Sequence, residues 1–182
     1  MTIVRFLLAS AILLALWSSE AVAQTIEKAE ECVSQREQQT AALVAQDWSQ
    51  LERLARRYIN DCEDVFSSKY NSQAHNYLSI ALFYLGNFEA ALAASETCIG
   101  IYYSSSSCHV QKVQSLIELE GFADARPALE IAERLIAYLI ETNRKNIRSA
   151  TESLSRELYQ STHDQLLAEK ALLEKLRSHF ER

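Results

Sequence analysis

Residues 71–100 of the chain read NSQAHNYLSIALFYLGNFEAALAASETCIG, and this stretch decides the fold. Apolar side chains recur at steps of three and four residues, the spacing of one buried helix face, at Ala74, Leu78, Ala81, Leu82 and Leu85. Gly86 tolerates a positive φ and is suited to end that helix, and Asn87 is suited to cap the next one. The face continues through Phe88, Ala91, Leu92 and Ser95. The stretch therefore predicts two helices joined by a tight turn.

The same pattern recurs elsewhere in the chain. A shift of 34 residues superimposes core-type positions of this unit on a later one: Leu82 on Leu116, Leu85 on Leu119, Phe88 on Phe122, Ala91 on Ala125 and Ala94 on Ala128. A shift of 40 residues aligns an earlier unit more loosely, with Ala41 on Ala81 and Trp48 on Phe88. A fixed period of this length is the signature of a repeat architecture.

The repeated unit resembles the tetratricopeptide repeat, a helix–turn–helix of 34 residues. The middle unit carries the motif best, as YLGNFEAAL from Tyr84 to Leu92. In the third unit, LEGFADA from Leu119 to Ala125, the glycine stands one place later, and the first unit has Gln46-Asp47-Trp48 without a glycine. The resemblance implies an all-α fold, a right-handed stack of antiparallel helical hairpins.

The expected hairpins span about residues 26–61, 72–100 and 108–141. Their helices are predicted at Ile26–Ala45, Trp48–Asp61, Ser72–Leu85, Phe88–Ile99, Cys108–Glu120 and Ala123–Glu141. Residues 146–180 are predicted to be a helical cap, formed as one long helix or as a fourth hairpin, because solenoids need a polar terminal unit. Three glycines and one proline in 182 residues agree with an all-helical domain.

The first residues have the layout of a secretory signal peptide. Arg5 precedes an apolar run from Phe6 to Trp17, and Ala21-Val22-Ala23 is a cleavage site of small residues. An uncleaved membrane anchor is the alternative, but the run is short against the roughly 20 residues that span a bilayer. We expect residues 1–23 to be removed after Ala23. A single periplasmic or secreted domain of residues 24–182 would remain, without stable membrane insertion.

Four cysteines lie in the expected mature chain. In an exported protein an even number of cysteines indicates disulfides, and three pairings are possible. The predicted helices favour Cys32–Cys62, at one end of the first hairpin, and Cys98–Cys108, across the loop that follows. A zinc site is the rival interpretation, but the spacings are not those of zinc ligands. We expect no metal and no cofactor.

The charge pattern argues against nucleic acid. The net charge is −6, without a block of Lys and Arg to neutralise phosphates. The sequence contains no G-x-S-x-G elbow for a nucleophilic serine, and three glycines could hardly build a phosphate-binding loop. We therefore expect a protein-interaction module, an adaptor or assembly factor, rather than an enzyme.

If the resemblance holds, the first helix of each unit lines a concave groove. The positions expected to face a bound peptide are Arg36, Thr40, Gln73, Asn76, Phe83, Gln111, Gln114 and Glu118. Amide and guanidinium groups there suit the backbone of an extended peptide, and Phe83 suits an apolar anchor. In the alternative, these residues are ordinary solvated positions and Phe83 packs against the next unit.

Two other functions stay open at this point. One is a cell-envelope hydrolase that uses a histidine such as His163 beside Asp164. The other is a structural protein that associates with itself through the C-terminal helix.

Overall fold

The computed structural model describes the backbone of residues 2–180 and the side chains of residues 22–180. This part of the chain forms helices and no strand, which confirms the predicted all-α repeat fold. The helices are α1 (Thr2–Val44), α2 (Trp48–Cys62), α3 (Ser68–Tyr84), α4 (Phe88–Ile101), α5 (Ser106–Glu118), α6 (Phe122–Ser149) and α7 (Ser153–Arg177).

The helices stack in sequence order in two layers. Each helix packs against the next, and the odd-numbered helices also contact one another, α1 with α3, α3 with α5 and α5 with α7. Within the described part of the chain, the even-numbered helices α2, α4 and α6 make no such contacts with one another. The odd-numbered helices therefore form the closer-packed layer, which we call the inner layer.

The turn inside each hairpin has the same geometry in all three units. A residue with positive φ occupies the corresponding position each time: Gln46 at 55°, Gly86 at 79° and Glu120 at 56°. The backbone N–H of the following residue then donates a hydrogen bond to the carbonyl oxygen five residues earlier. These bonds run from Asp47 to Ala42, from Asn87 to Leu82 and from Gly121 to Leu116, with N···O distances of 2.9–3.0 Å. This is a Schellman-type helix end. In the third unit the left-handed residue is thus Glu120, and Gly121 takes the place of the cap.

In two of the hairpins, a side chain caps the N-terminus of the second helix. The Asn87 carboxamide oxygen accepts a hydrogen bond from the Ala90 amide at 3.3 Å, as predicted. Asp47 does the same for α2, accepting from the Gln50 amide at 3.0 Å. Each bond satisfies one of the orphan amides at a helix start.

The predicted core stripe is buried with one exception. Ala74, Leu78, Ala81 and Leu82 are buried, but Leu85 is 44% exposed. Leu85 lies past the last helical residue of α3, where the chain turns away from the core. The expectation that Leu85 belongs to the buried face was therefore wrong.

Three helix boundaries differ from those predicted by four or more residues. Helix α1 begins at Thr2 rather than at Ile26. Helix α3 begins four residues earlier than Ser72, at Ser68. Helix α6 continues past Glu141 to Ser149, since no glycine or proline interrupts residues 142–149. The tail is one long helix, α7, which packs on α6 and α5 rather than forming a fourth hairpin.

The predicted signal peptide falls almost entirely on residues 1–21, whose side chains lie outside the described residues. Its cleavage therefore stays a prediction. From residue 22 to residue 180, no helix is long and apolar enough to cross a membrane.

Candidate functional site

The inner layer carries a small cleft between α1 and α3, which we call the α1–α3 cleft. It holds about 10 Å³, about the space of one water molecule. Three of the predicted groove residues line it, together with four that were not predicted to face a groove: Arg36, Thr40 and Gln73 with Gln39, Tyr70, Ala74 and Tyr77.

Arg36 is the cation of this cleft. Its guanidinium lies over the Tyr70 ring, 4.0 Å from the ring centroid. A cation–π contact of this kind holds the guanidinium plane in place while its N–H groups stay able to donate. Among the ion pairs found in residues 22–180, none includes Arg36.

The amides of the cleft also present donors. Gln73 donates from Nε2 to the Tyr77 hydroxyl at 2.8 Å. Gln39 is 1% exposed, and its Nε2 has no hydrogen-bond partner among the described residues. An unsatisfied buried donor costs about 1–3 kcal/mol, so such groups tend to occur where something else supplies an acceptor.

Asn76 and Phe83 are less open than expected, and the exposed Thr40 hydroxyl is already hydrogen-bonded within α1. Asn76 is only 8% exposed, so little of its amide faces a groove. The Thr40 hydroxyl donates to the Arg36 carbonyl at 3.1 Å. The half-buried Phe83 packs edge-on against Phe88 of its own hairpin, with centroids 5.4 Å apart, rather than against the next unit.

The α5 positions form a polar strip on the inner layer. Gln111 donates from Nε2 to Oε1 of Gln114 at 3.1 Å, and the Oε1 of Gln111 is buried without a partner in the described region. Glu118 is exposed at the last residue of α5.

A second polar cluster lies where α7 crosses the first turn of α5, and we call it the α5–α7 junction. The Ser107 hydroxyl donates to Oε1 of Glu169 at 2.5 Å. Gln165 donates from Nε2 to the same Oε1 at 3.0 Å and also contacts the Ser107 hydroxyl. Glu169 is therefore half-buried at a contact between two helices.

The sequence contained a signal for Gln39 but not for Glu169. Cys32, Gln35, Gln39 and Ala42 follow the spacing of a buried helix face, so the two glutamines are polar residues at core positions. A polar residue in a core stripe needs a partner and marks a site worth inspecting. Glu169 could not be found in this way, because its burial depends on how α7 crosses α5.

The structure brings together the cysteine pairs favoured by the predicted helices. Cys32 and Cys62 have Cα atoms 5.7 Å apart, and Cys98 and Cys108 have Cα atoms 6.1 Å apart, both within the range of disulfides. All four side chains are buried, and none is a free thiol.

The four histidines lie apart from any cluster of metal ligands in the described residues. No set of three or more potential ligands gathers in residues 22–180. Asp164, the suggested partner of His163, accepts from Gln160 at 2.9 Å, and Nδ1 of His163 has no hydrogen-bond partner in the described region. His75 lies 3.8 Å from Glu63, and His109 bonds the Tyr103 carbonyl at 2.8 Å.

Burial sets the protonation of the two structural histidines. It lowers the pKa of His75 below its ordinary value, against the opposing effect of the Glu63 carboxylate. It also lowers the pKa of His109, where the Tyr103 carbonyl opposes the shift and the Lys112 charge adds to it. Both imidazoles therefore favour the neutral form.

Comparison with known proteins identifies the fold. No family model matches the chain, and no curated protein matches it in sequence. Among solved structures, the TPR2B domain of yeast Sti1, in its complex with pHsp70, matches with a TM-score of 0.52 and 16% identity. The match covers 77% of this chain and 95% of that domain. At this identity the likeness concerns the fold alone, and the chain has a TPR-like helical repeat fold.

Proposed function

We propose that the protein is an exported protein-interaction module that binds an extended peptide or a protein segment on its inner layer, without turnover. The observation that carries this proposal is the α1–α3 cleft. The cleft is lined by Arg36, whose guanidinium is held over the Tyr70 ring, and by Gln39, whose buried Nε2 has no hydrogen-bond partner among the described residues. Donors in this arrangement suit the carbonyl or carboxylate oxygens of a peptide.

The fold supports the same interpretation. Helical hairpins stacked in order present a continuous surface of side chains from successive units, which suits an extended ligand. One solved structure with a similar fold is the TPR2B domain of yeast Sti1 in its complex with pHsp70. The predicted groove residues Arg36, Gln73 and Gln114 all lie on helices of this layer.

A selection from a display library of random peptides tests this proposal. Peptides enriched on the wild-type protein are measured by fluorescence anisotropy against Arg36→Ala/Gln73→Ala. We expect binding to weaken by about tenfold or more, since each lost charge-assisted hydrogen bond is worth about 1.5–3 kcal/mol. The matched control is Arg53→Ala/Gln50→Ala on α2, where both side chains are exposed in the other layer. Equal affinities for the two double variants would remove the inner layer as the binding surface.

Export to the periplasm or to the medium is part of the proposal. The two buried cysteine pairs fit an oxidising compartment, because disulfides persist there and are rare in the cytosol. N-terminal sequencing of the exported protein should read from Gln24, and thiol counting under denaturing conditions should find no free thiol. A mature chain that retains residues 1–23, or that carries free thiols, would contradict it.

A further inference from the structure

The α5–α7 junction lies in the same layer as the α1–α3 cleft but offers the opposite chemistry. In the cleft the atom without a partner is a donor, Nε2 of Gln39, and the charged group is Arg36. At the junction the atom without a partner is an acceptor, Oε2 of Glu169, and the charged group is a carboxylate. The two sites therefore present groups of opposite charge.

The Glu169 carboxyl group is held in a defined orientation. Ser107 and Gln165 both donate to Oε1, so Oε2 is left buried and unpaired within the described residues. No ion pair of residues 22–180 includes Glu169. A half-buried carboxylate with one oriented, unpaired oxygen gains from a cation that supplies N–H donors.

We propose that the α5–α7 junction is a cation-selective subsite, and that the ligand is an extended segment with charges of opposite sign at its two ends. An acidic group of this segment binds at Arg36 in the α1–α3 cleft, and a Lys or Arg side chain binds Glu169 at the junction. This inference rests on the proposed function, and it names the chemistry of the partner.

The stack sets the distance between the two charges of the ligand. From α1 to α7 the inner layer makes three interhelical steps of about 8–10 Å each, or about 24–30 Å in all. An extended chain advances about 3.3–3.6 Å per residue, so the acidic and basic residues should stand about seven to nine positions apart.

Synthetic peptides with one Glu, one Lys and a Leu-Ser spacer test this arrangement by fluorescence anisotropy. The peptide whose charges stand about eight positions apart should bind about tenfold more tightly than peptides with two Glu, with two Lys, or with half that spacing. Glu169→Gln, which keeps an acceptor oxygen for Ser107, should remove the preference for Lys. Arg36→Gln should remove the preference for Glu. Arg53→Gln on α2 is the matched control and should change neither.

The outcomes separate this inference from the proposed function. If library-selected peptides depend on Arg36 and Gln73 but Glu169→Gln leaves the preference for Lys intact, the cation subsite is wrong and peptide binding stands. The same holds if the selected peptides bind but none of the synthetic peptides does. If neither set depends on inner-layer residues, the proposed function itself fails. Circular dichroism of each variant establishes that it is folded.

Discussion

Trp48 and Tyr84 stack their rings across the boundary between the first two hairpins, with centroids 4.2 Å apart and ring planes within 13°. Trp48 begins α2 and Tyr84 ends α3, so the pair joins the turn edges of neighbouring units. Tyr84 continues the contact edge-on to Phe83, and Phe83 to Phe88. Because repeat proteins are stabilised mainly by contacts between neighbouring units, this pair should contribute to the cooperativity of the fold.

A double-mutant cycle measures that contribution. Trp48→Ala and Tyr84→Ala should each destabilise the protein, and their interaction free energy should be about 0.5–1.5 kcal/mol, as for other aromatic pairs. The measurement is urea unfolding followed by circular dichroism. Tyr138→Ala is the control, since Tyr138 is 67% exposed and should cost no more than about 0.5 kcal/mol. Strict additivity of the two single variants would show that the stack contributes nothing beyond burial.

Two glycine-to-alanine changes should alter stability in opposite directions. Gly86 has a φ of 79°, so Gly86→Ala should destabilise the protein by about 1 kcal/mol through the backbone alone, since an added Cβ meets no atom within 4 Å. Gly100 lies inside α4, also with open space around an added Cβ, and Gly100→Ala should stabilise by about 0.5–1 kcal/mol. Thermal unfolding of both variants checks the signs.

The same reasoning applies to the third turn. Glu120 adopts a φ of 56° without being glycine, so Glu120→Gly should relieve strain and raise the free energy of unfolding by about 0.5–1 kcal/mol. A loss of stability in this variant would mean that the side chain of Glu120 contributes more than its backbone conformation costs.

The architecture could be predicted because it depends on local patterns of the sequence. Gly86 and Asn87 mark a turn by their own chemistry, and the core spacing around them repeats along the chain. The left-handed residue of the third turn was harder to predict. Glycine is the residue type that usually adopts a positive φ, but here Glu120 adopts it and the adjacent Gly121 does not. The end of α6 was missed because residues 142–149 contain no breaker, and only packing against α7 fixes where that helix stops.

The candidate site could be anticipated only in part, for a related reason. Helical periodicity assigned Arg36 and Gln73 to the first helices of their hairpins, but it could not show that Asn76 is buried. The contact of Glu169 with Ser107 joins residues 62 positions apart. Such contacts depend on the crossing of two helices, which no local pattern of the sequence specifies.

The two cysteine pairs should contribute unequally to stability. Their sequence separations are 30 and 10 residues, and the loop-entropy relation assigns about 3.6 kcal/mol to the longer loop and about 2.7 kcal/mol to the shorter. Replacing Cys32 and Cys62 by alanine should therefore cost more than replacing Cys98 and Cys108. Urea unfolding of the two double variants, with and without reductant, makes the comparison. A larger loss from the 98/108 variant would mean that native packing around the short loop outweighs loop entropy.

The buried His109 should make the protein less stable in mild acid. Its pKa is lower in the folded protein than the ordinary value of about 6.5, so below that pH the unfolded chain takes up a proton more readily than the folded one. The stabilisation is complete above about pH 6.5 and is lost as the pH falls through the folded-state pKa. His75, shifted in the same direction by burial, adds to the effect.

Unfolding free energies measured from pH 7.5 down to pH 5 should fall for the wild type, and less steeply for His109→Gln. His179→Gln is the matched control, the same substitution at an exposed position. A slope unaffected by His109→Gln would show that other groups carry the acid sensitivity.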